Sequence, residues 1–346
     1  MTRRLDGARL LRVARLEMRR ADLGVALALA ALAAVLLGLG LTAGSTPVGL
    51  VDLLGGGLDE AQRYAVLELR LPRGLTGFLA GAAVAVSGAM LQSLTRNPIA
   101  DPGLLGLAQG ALLAILLGVV LLPALPTGWL PLIGSAGGLC VALFLARLTG
   151  RGRAGDALAI LLLGLSVETV LSAITAIVLL YAPPDLSFAV SAWLAGSLAQ
   201  AGWPAFGGLA LWVLPALPLL FAAGPMLRLL DLGEDHAHAL GLSLRGARLM
   251  VLVAVVVLTS AAVTVTGPLV FLGVMAPHVA AALLPSSGRA RLVLSGLAGG
   301  AFVLAADALS RALGSEIGLP LGLCLTVLGV PLFIAILRLR AVRRPS

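Results

Sequence analysis

The sequence predicts an all-α polytopic membrane protein of about ten transmembrane helices, with both termini cytoplasmic. Three observations predict it. Apolar residues fill 60% of 346 positions and charged residues only 12%, a balance outside the range of soluble domains. Apolar windows long enough to cross about 30 Å of hydrocarbon recur along the chain. The basic residues between them fall mainly on one side.

The windows run over 24–43, 74–94, 103–123, 129–147, 157–181, 204–227, 247–266, 268–284, 292–313 and 319–338, the stretch 268–284 being the weakest. The first twenty residues carry seven arginines ahead of the first window. That window exceeds the roughly 7–15 residues of a signal-peptide core, and no clear small-x-small cleavage site follows, so it is read as a retained span. Residues 1–23 then form a basic interfacial segment lying against anionic lipid, 24–340 the transmembrane domain, and 341–346 a cytoplasmic tail.

Alternating the spans from a cytoplasmic N-terminus places the arginine-rich head, Arg96, Arg147 to Arg153, Arg228, Arg245, Arg248, Arg289, Arg291 and Arg338 to Arg344 on one side. Only Arg63, Arg70, Arg73 and Arg311 land on the other. Dropping one span would scramble the later loops, so the bias also supports the count. Trp129, Trp193 and Trp203 fall at the outer interface, whereas Trp212 lies within a span. Two longer outer connections, 44–73 and 182–203, contrast with short inner ones. The exception is the inner stretch 228–246. Asp231 as a polar start, Glu234 and Asp235 in the first turn and Gly241 at the end describe a short capped helix over about 231–243. A solvated connector is the other reading.

All 24 basic residues are arginine. Without lysine there is neither a phosphate-binding P-loop nor a Schiff base. Cys140 and Cys324 fall inside apolar spans as small hydrophobes. His236 and His238 are two apart, where a helical metal pair wants i, i+4, and His278 follows Pro277, so no metal site, no bound cofactor and no nucleic-acid partner are expected. An intramembrane protease would need H-E-x-x-H or a serine with a partnered histidine, and neither arrangement is evident.

The segment 70–110 carries Gly77, Gly81, Ala85 and Gly88 at helical spacing, a face on which another backbone can come close. Asn97-Pro98 and Asp101-Pro102 then break the helix. Irregular backbone at a membrane boundary lines a cavity or is buried in protein, so a gate and a plain turn both stand. Glu168 lies about 11 residues into the fifth span, roughly 16 Å deep at about 1.5 Å per residue, with Gly164, Ser172 and Thr175 on its face. Such a stripe is either helix-packing glue or the lining of a path. Asp307 and Arg311 are placed to pair within one helix. Arg70, Arg73 and Arg311, which oppose the charge bias, can snorkel to the interface.

These motifs resemble the FecCD-type permeases of binding-protein-dependent ABC importers, which carry ferric siderophores, haem and cobalamin. The resemblance rests on Arg70-Leu-Pro-Arg73, Ser87-Gly88-Ala-Met-Leu-Gln92, Asn97-Pro98-Ile-Ala-Asp-Pro-Gly103, Trp193-Leu-Ala-Gly-Ser-Leu198, Leu232-Gly233 with Ala237 and Leu240-Gly241, Gly267-Pro268 through Gly273, Ala276-Pro277-His278 and Ala306-Asp307. It implies a type II ABC importer permease in the bacterial inner membrane, not itself an enzyme. The expected assembly is a homodimer of this chain with two ATPase subunits that hold ATP and Mg, and a periplasmic or lipid-anchored substrate-binding protein. It also implies roles: Asn97, Pro98 and Ile99 in a cytoplasmic gate; Leu232, Gly233, Glu234, Ala237, Leu240 and Gly241 in the helix that docks on the ATPase; Arg70, Arg73 and Arg311 facing carboxylates of the binding protein. Glu168 lies outside the family motifs. The sequence departs from the family pattern at Ala281, at Gly318 with Glu316 two residues earlier, and at Ala157 and Leu158. An ion-coupled secondary transporter is the competing class; it would use Glu168 and Asp307 and need no partner.

Overall fold

The computed structural model describes residues 10–13, 16–44, 46–149, 157–313 and 319–342. Arg151, Arg153, Glu316, Gly318 and the tail from residue 343 lie outside them. The basic head departs from the all-helical expectation, since β1 (Leu10–Val13) and β2 (Leu16–Arg19) pair as an antiparallel hairpin that leads straight into α1 (Arg20–Thr42).

Every apolar window becomes a helix. Among the described residues, seven helices are long and apolar enough to cross a membrane, and Leu107–Leu121, Leu130–Leu145 and Leu272–Leu283 are shorter apolar ones. After α1 come α2 (Leu50–Gly55) and α3 (Glu60–Tyr64), neither anticipated, in the first long connection. Asp59 starts α3 with a reciprocal capping box to Gln62, at the Asp-x-x-Gln spacing that satisfies two orphan donors. A π-helical stretch, Ala65–Arg70, runs into α4 (Leu71–Thr95). There follow α5 (Leu107–Leu121), α6 (Leu130–Thr149), α7 (Ala157–Tyr181), α8 (Pro184–Leu194, also unanticipated), α9 (Trp203–Asp231), α10 (Glu234–Ala239), α11 (Leu244–Thr266), α12 (Leu272–Leu283), α13 (Arg289–Leu313) and α14 (Leu321–Val342).

The bundle is built around α4, which packs against α13, α11, α9, α12 and α1. Its small residues make this possible. Ala80, Ala85 and Ala89 are fully enclosed, and β-carbons at Gly81 and Gly88 would collide with the backbones of Gly299 on α13 and Gly273 on α12. Gly77 lies against Leu198 and Val303, so the small-residue face is a packing face. By contrast, α1, α7 and α9 keep most of their apolar side chains outside. Without water to drive burial, an apolar exterior is what a membrane helix presents to lipid or to another protein.

The weak window 268–284 is a broken span. Gly267 to Phe271 run non-helically and α12 then has 12 residues, about 18 Å, against the roughly 30 Å of a full crossing. Its start therefore lies inside the bundle, against Gly88 of α4.

Candidate functional site

Three polar constellations stand out in this apolar bundle. The first gathers where α4, α9 and α13 meet α10. Arg96 ends α4 in the left-handed conformation at φ 52°, which turns the chain into the 97–106 loop. Asn97 closes that loop on itself: its side-chain oxygen accepts from the Ile99 N–H at 3.1 Å, and its carbonyl accepts from Ala100. Pro98 sits inside this turn, and Ile99 stays 42% exposed. Asp101 is buried, accepts from the Gly103 N–H at 2.7 Å, and points its other oxygen at Gly273 in the first turn of α12. The loop is thus a built, inward-folded element.

The helix expected over 231–243 is shorter, and its start differs. Asp231 is the last residue of α9, not a cap; α10 spans Glu234–Ala239 between Gly233 at φ 107° and Gly241 at φ 86°. Both are backbone states that β-carbons disfavour, so these glycines set the angles at which α10 leaves α9 and joins α11. Ala237 is fully buried, whereas Leu232 and Leu240 are exposed on the outer side. Glu234 pairs with Arg248 of α11. A β-carbon at Gly233 would lie 3.2 Å from the Arg96 guanidinium, so the residue that begins the 97–106 loop rests on the residue that begins α10.

A second route joins the same two elements. Arg291 of α13 reaches Asp231 at 3.4 Å, Ser93 at 3.1 Å and the Gln92 side-chain oxygen at 2.8 Å. Gln92 in turn donates to the Gly273 carbonyl at 3.2 Å, beside the Asp101 carboxylate. Gln92 belongs to a motif named in the sequence, but no role was read for it or for Arg291. The missed signal was Pro277, which cannot donate to Gly273 four residues earlier and so leaves that carbonyl needing a side chain. His278 meanwhile hydrogen-bonds the Val274 carbonyl at 2.8 Å and meets Phe333 edge-on.

The second constellation lies at the opposite end, where α1 finishes and α4 begins. Asp307, 4% exposed, is held by Arg73 at 2.8 Å and by Arg311 at 2.9 Å. The i, i+4 pair is present, and Arg73 is an added partner from α4. Arg311 also donates to the carbonyls of Gly40 and Ala43, and Arg70 to those of Leu41 and Thr46. These are orphan carbonyls at or beyond the α1 C-terminus, where cationic side chains are favourable. Arg70 and Arg311 thus fasten the end of α1 to the start of α4 and to α13, and Arg73 ties α4 to α13.

The third is the α7 stripe. Gly164 packs on Leu104 and Leu105, and Thr175 accepts from Gln109 of α5 at 3.1 Å while bonding its own helix. Ser172 donates to Glu168 at 3.2 Å, and the Glu168 backbone lies beside Gly106. Gly164 thus packs α7 on the 97–106 loop, and Thr175 ties α7 to α5. The Glu168 carboxylate, half-buried, meets only a same-helix hydroxyl among the described hydrogen bonds.

Together these elements describe a multi-pass helical membrane protein with one broken span and the short helix α10 set between two long ones. Residues 29–339 match the family model of the FecCD transport family, so the chain belongs to that family. It is 36% identical over 291 residues to the Fe(3+) dicitrate transport system permease protein FecC of Escherichia coli, covering 83% of this chain and 87% of that protein. It is 34% identical to the hemin transport system permease protein HmuU of Yersinia pestis over 290 residues, 82% of this chain and 86% of the relative. A solved metal-chelate type ABC transporter in an inward-facing conformation superposes with a TM-score of 0.78 at 22% identity, over 92% of this chain and 99% of that one.

Proposed function

We propose that this chain is the permease subunit of a binding-protein-dependent ABC importer in the bacterial inner membrane, and that it carries an iron chelate (a ferric siderophore or haem) or cobalamin. Ferric chelate leads, because the iron-citrate permease is the relative with the highest identity given above. The working assembly is a homodimer of about ten-span subunits with cytoplasmic termini, driven by ATP hydrolysis with Mg in two separate ATPase subunits.

The observation that carries this reading is the double link between α10 and the 97–106 loop. Arg96 bears on Gly233, and Asp231, Arg291, Gln92 and Gly273 form a chain of polar contacts to Asp101. A short helix fixed between two glycines, exposing Leu232 and Leu240, suits a lever held in a groove of the ATPase. Its motion would reach the Asn97, Pro98 and Ile99 gate by rigid contacts. At the periplasmic end, Arg70, Arg73 and Arg311 shape the outer loops and, by their remaining exposed edges, meet carboxylates of the binding protein. Complementary charge of this kind steers encounter and fixes register. Glu168 lines the path.

The test is reconstitution in proteoliposomes with the cognate ATPase and binding protein. Uptake of radiolabelled ferric chelate is expected only with ATP and binding protein together. Uptake driven by an ion gradient with no ATPase present would overturn the reading in favour of a secondary carrier. Arg70→Glu with Arg73→Glu is expected to abolish stimulation of ATP hydrolysis by the loaded binding protein, and unchanged stimulation would sink the docking assignment.

A further inference from the structure

An open surface groove of about 650 Å³ is lined by Leu214, Leu217, Pro218, Phe221 and Ala222 of α9, with Arg289 at its edge. The rim residue is fixed there by proline chemistry. Pro225 has no N–H for the Phe221 carbonyl, and the Arg289 Nε supplies one at 2.7 Å while the guanidinium lies 5.4 Å over the Phe221 ring. Close approach of Gly224 and Gly288 lets α9 and the start of α13 bring the cation in. Arg228 joins it, since a β-carbon on Gly288 would lie 3.5 Å from the Arg228 Nε.

Arg289 thus stands at one end of an apolar groove with Arg228 one residue's contact away across Gly288, and neither has a carboxylate within 4.0 Å among the described residues. The acidic groups nearby are used elsewhere: Asp231 by Arg291 and Glu234 by Arg248. Arg228 lies in the last turn of α9 and Arg289 opens α13, so both belong to helix ends. Phe221 is ten residues before the end of α9, about 15 Å along the axis, so the groove runs from the headgroup level into hydrocarbon.

We infer that this groove is a specific site for an anionic phospholipid, with its phosphate between Arg289 and Arg228 and an acyl chain along Leu214, Leu217 and Pro218. A basic notch between membrane helices beside a lipid-exposed apolar channel complements that molecule on both counts. A zwitterionic lipid brings the same phosphate with a headgroup cation that two arginines repel, and a soluble anion would match the arginines alone. The inference rests on the membrane embedding of the bundle and not on the transported substrate or the ATPase.

Native mass spectrometry of the delipidated full chain in detergent, titrated with phosphatidylglycerol or phosphatidylcholine, tests it. The first phosphatidylglycerol is expected to bind at least about fivefold more tightly than phosphatidylcholine, from roughly one such factor per arginine near the surface. Arg228→Gln leaves the Arg289 bond to Phe221 in place and should remove about fivefold of that affinity without changing the melting temperature. Leu217→Trp, which fills the channel, should weaken the first adduct with both arginines intact. Equal affinity for the two lipids, or a preference untouched by both substitutions, overturns the site. Displacement by excess glycerol phosphate does so too, by assigning the cations to a soluble anion.

Discussion

The side-chain amide of Gln92 donates to the carbonyl of Gly273, which Pro277 leaves without its helical partner. The same relationship recurs twice. Arg289 serves the Phe221 carbonyl ahead of Pro225, and Trp203 donates at 3.0 Å to Leu67, whose partner in the π-helical register would be Pro72. In a membrane interior an unserved carbonyl costs several kcal/mol, by order of magnitude, so each proline fixes a tertiary partner. Pro277, Pro225 and Pro72 therefore act as docking points between helices.

Gln92→Leu should orphan Gly273 again and strip an acceptor from Arg291. The expected loss is about 2 kcal/mol of stability, seen as a lowered melting temperature in detergent. Arg291→Lys should behave similarly, because an ammonium cannot reproduce the planar reach to Gln92, Ser93 and Asp231 together. A wild-type melting curve for Gln92→Leu would mean that the link carries no energy.

Asp307 is the hub of the other end. Asp307→Ala leaves Arg73 and Arg311 facing each other, part-buried, and should cost about 3 kcal/mol. Arg73→Met alone should cost about 1 kcal/mol, since Arg311 still holds the carboxylate. In a double-mutant cycle the two changes should couple strongly, Arg73→Met costing less once Asp307 is gone. Additive losses would show that Arg73 acts through packing alone.

The fold was legible wherever apolar period and length decide it. All ten windows became helices, and the Gly81 and Gly88 face packs as its spacing requires. Helices α2, α3 and α8 were missed because each is short and set in a polar or mixed connection without a periodic stripe long enough to register. The start of α10 was misplaced because Asp231 looks like a cap in sequence, while its tertiary partner Arg291 draws it into α9. Asp307 and Arg311 could be paired by the i, i+4 rule, but nothing local announces Arg73, 234 residues earlier. The network joining α10 to the 97–106 loop was hidden for the same reason: its signal was the carbonyl that Pro277 frees, and the sequence does not say which side chain answers it.

Glu168→Gln retains an oxygen that can accept from Ser172 and should leave stability within about 0.5 kcal/mol of wild type. Its effect should appear in transport, as altered substrate range or a lost pH dependence of uptake. If rate, range and pH profile all stay as in wild type, the carboxylate does not line the path and the α7 stripe is packing only.

Gly233→Val tests the lever directly. At φ 107° a β-branched residue is strained by about 1–3 kcal/mol, and its β-carbon would press on the Arg96 guanidinium. The site lies at the end of the bundle, so the transmembrane core should still assemble and melt within a few degrees of wild type. What should fail is transmission: with ATPase and binding protein present, chelate uptake per ATP hydrolysed should fall severalfold. Arg96→Ala should reduce the same ratio while leaving the Gly233 backbone unstrained, separating contact from strain. If Gly233→Val lowers ATP hydrolysis and uptake in equal proportion, α10 serves only to attach the ATPase, and the gate must be moved through Asp231 and Arg291 instead.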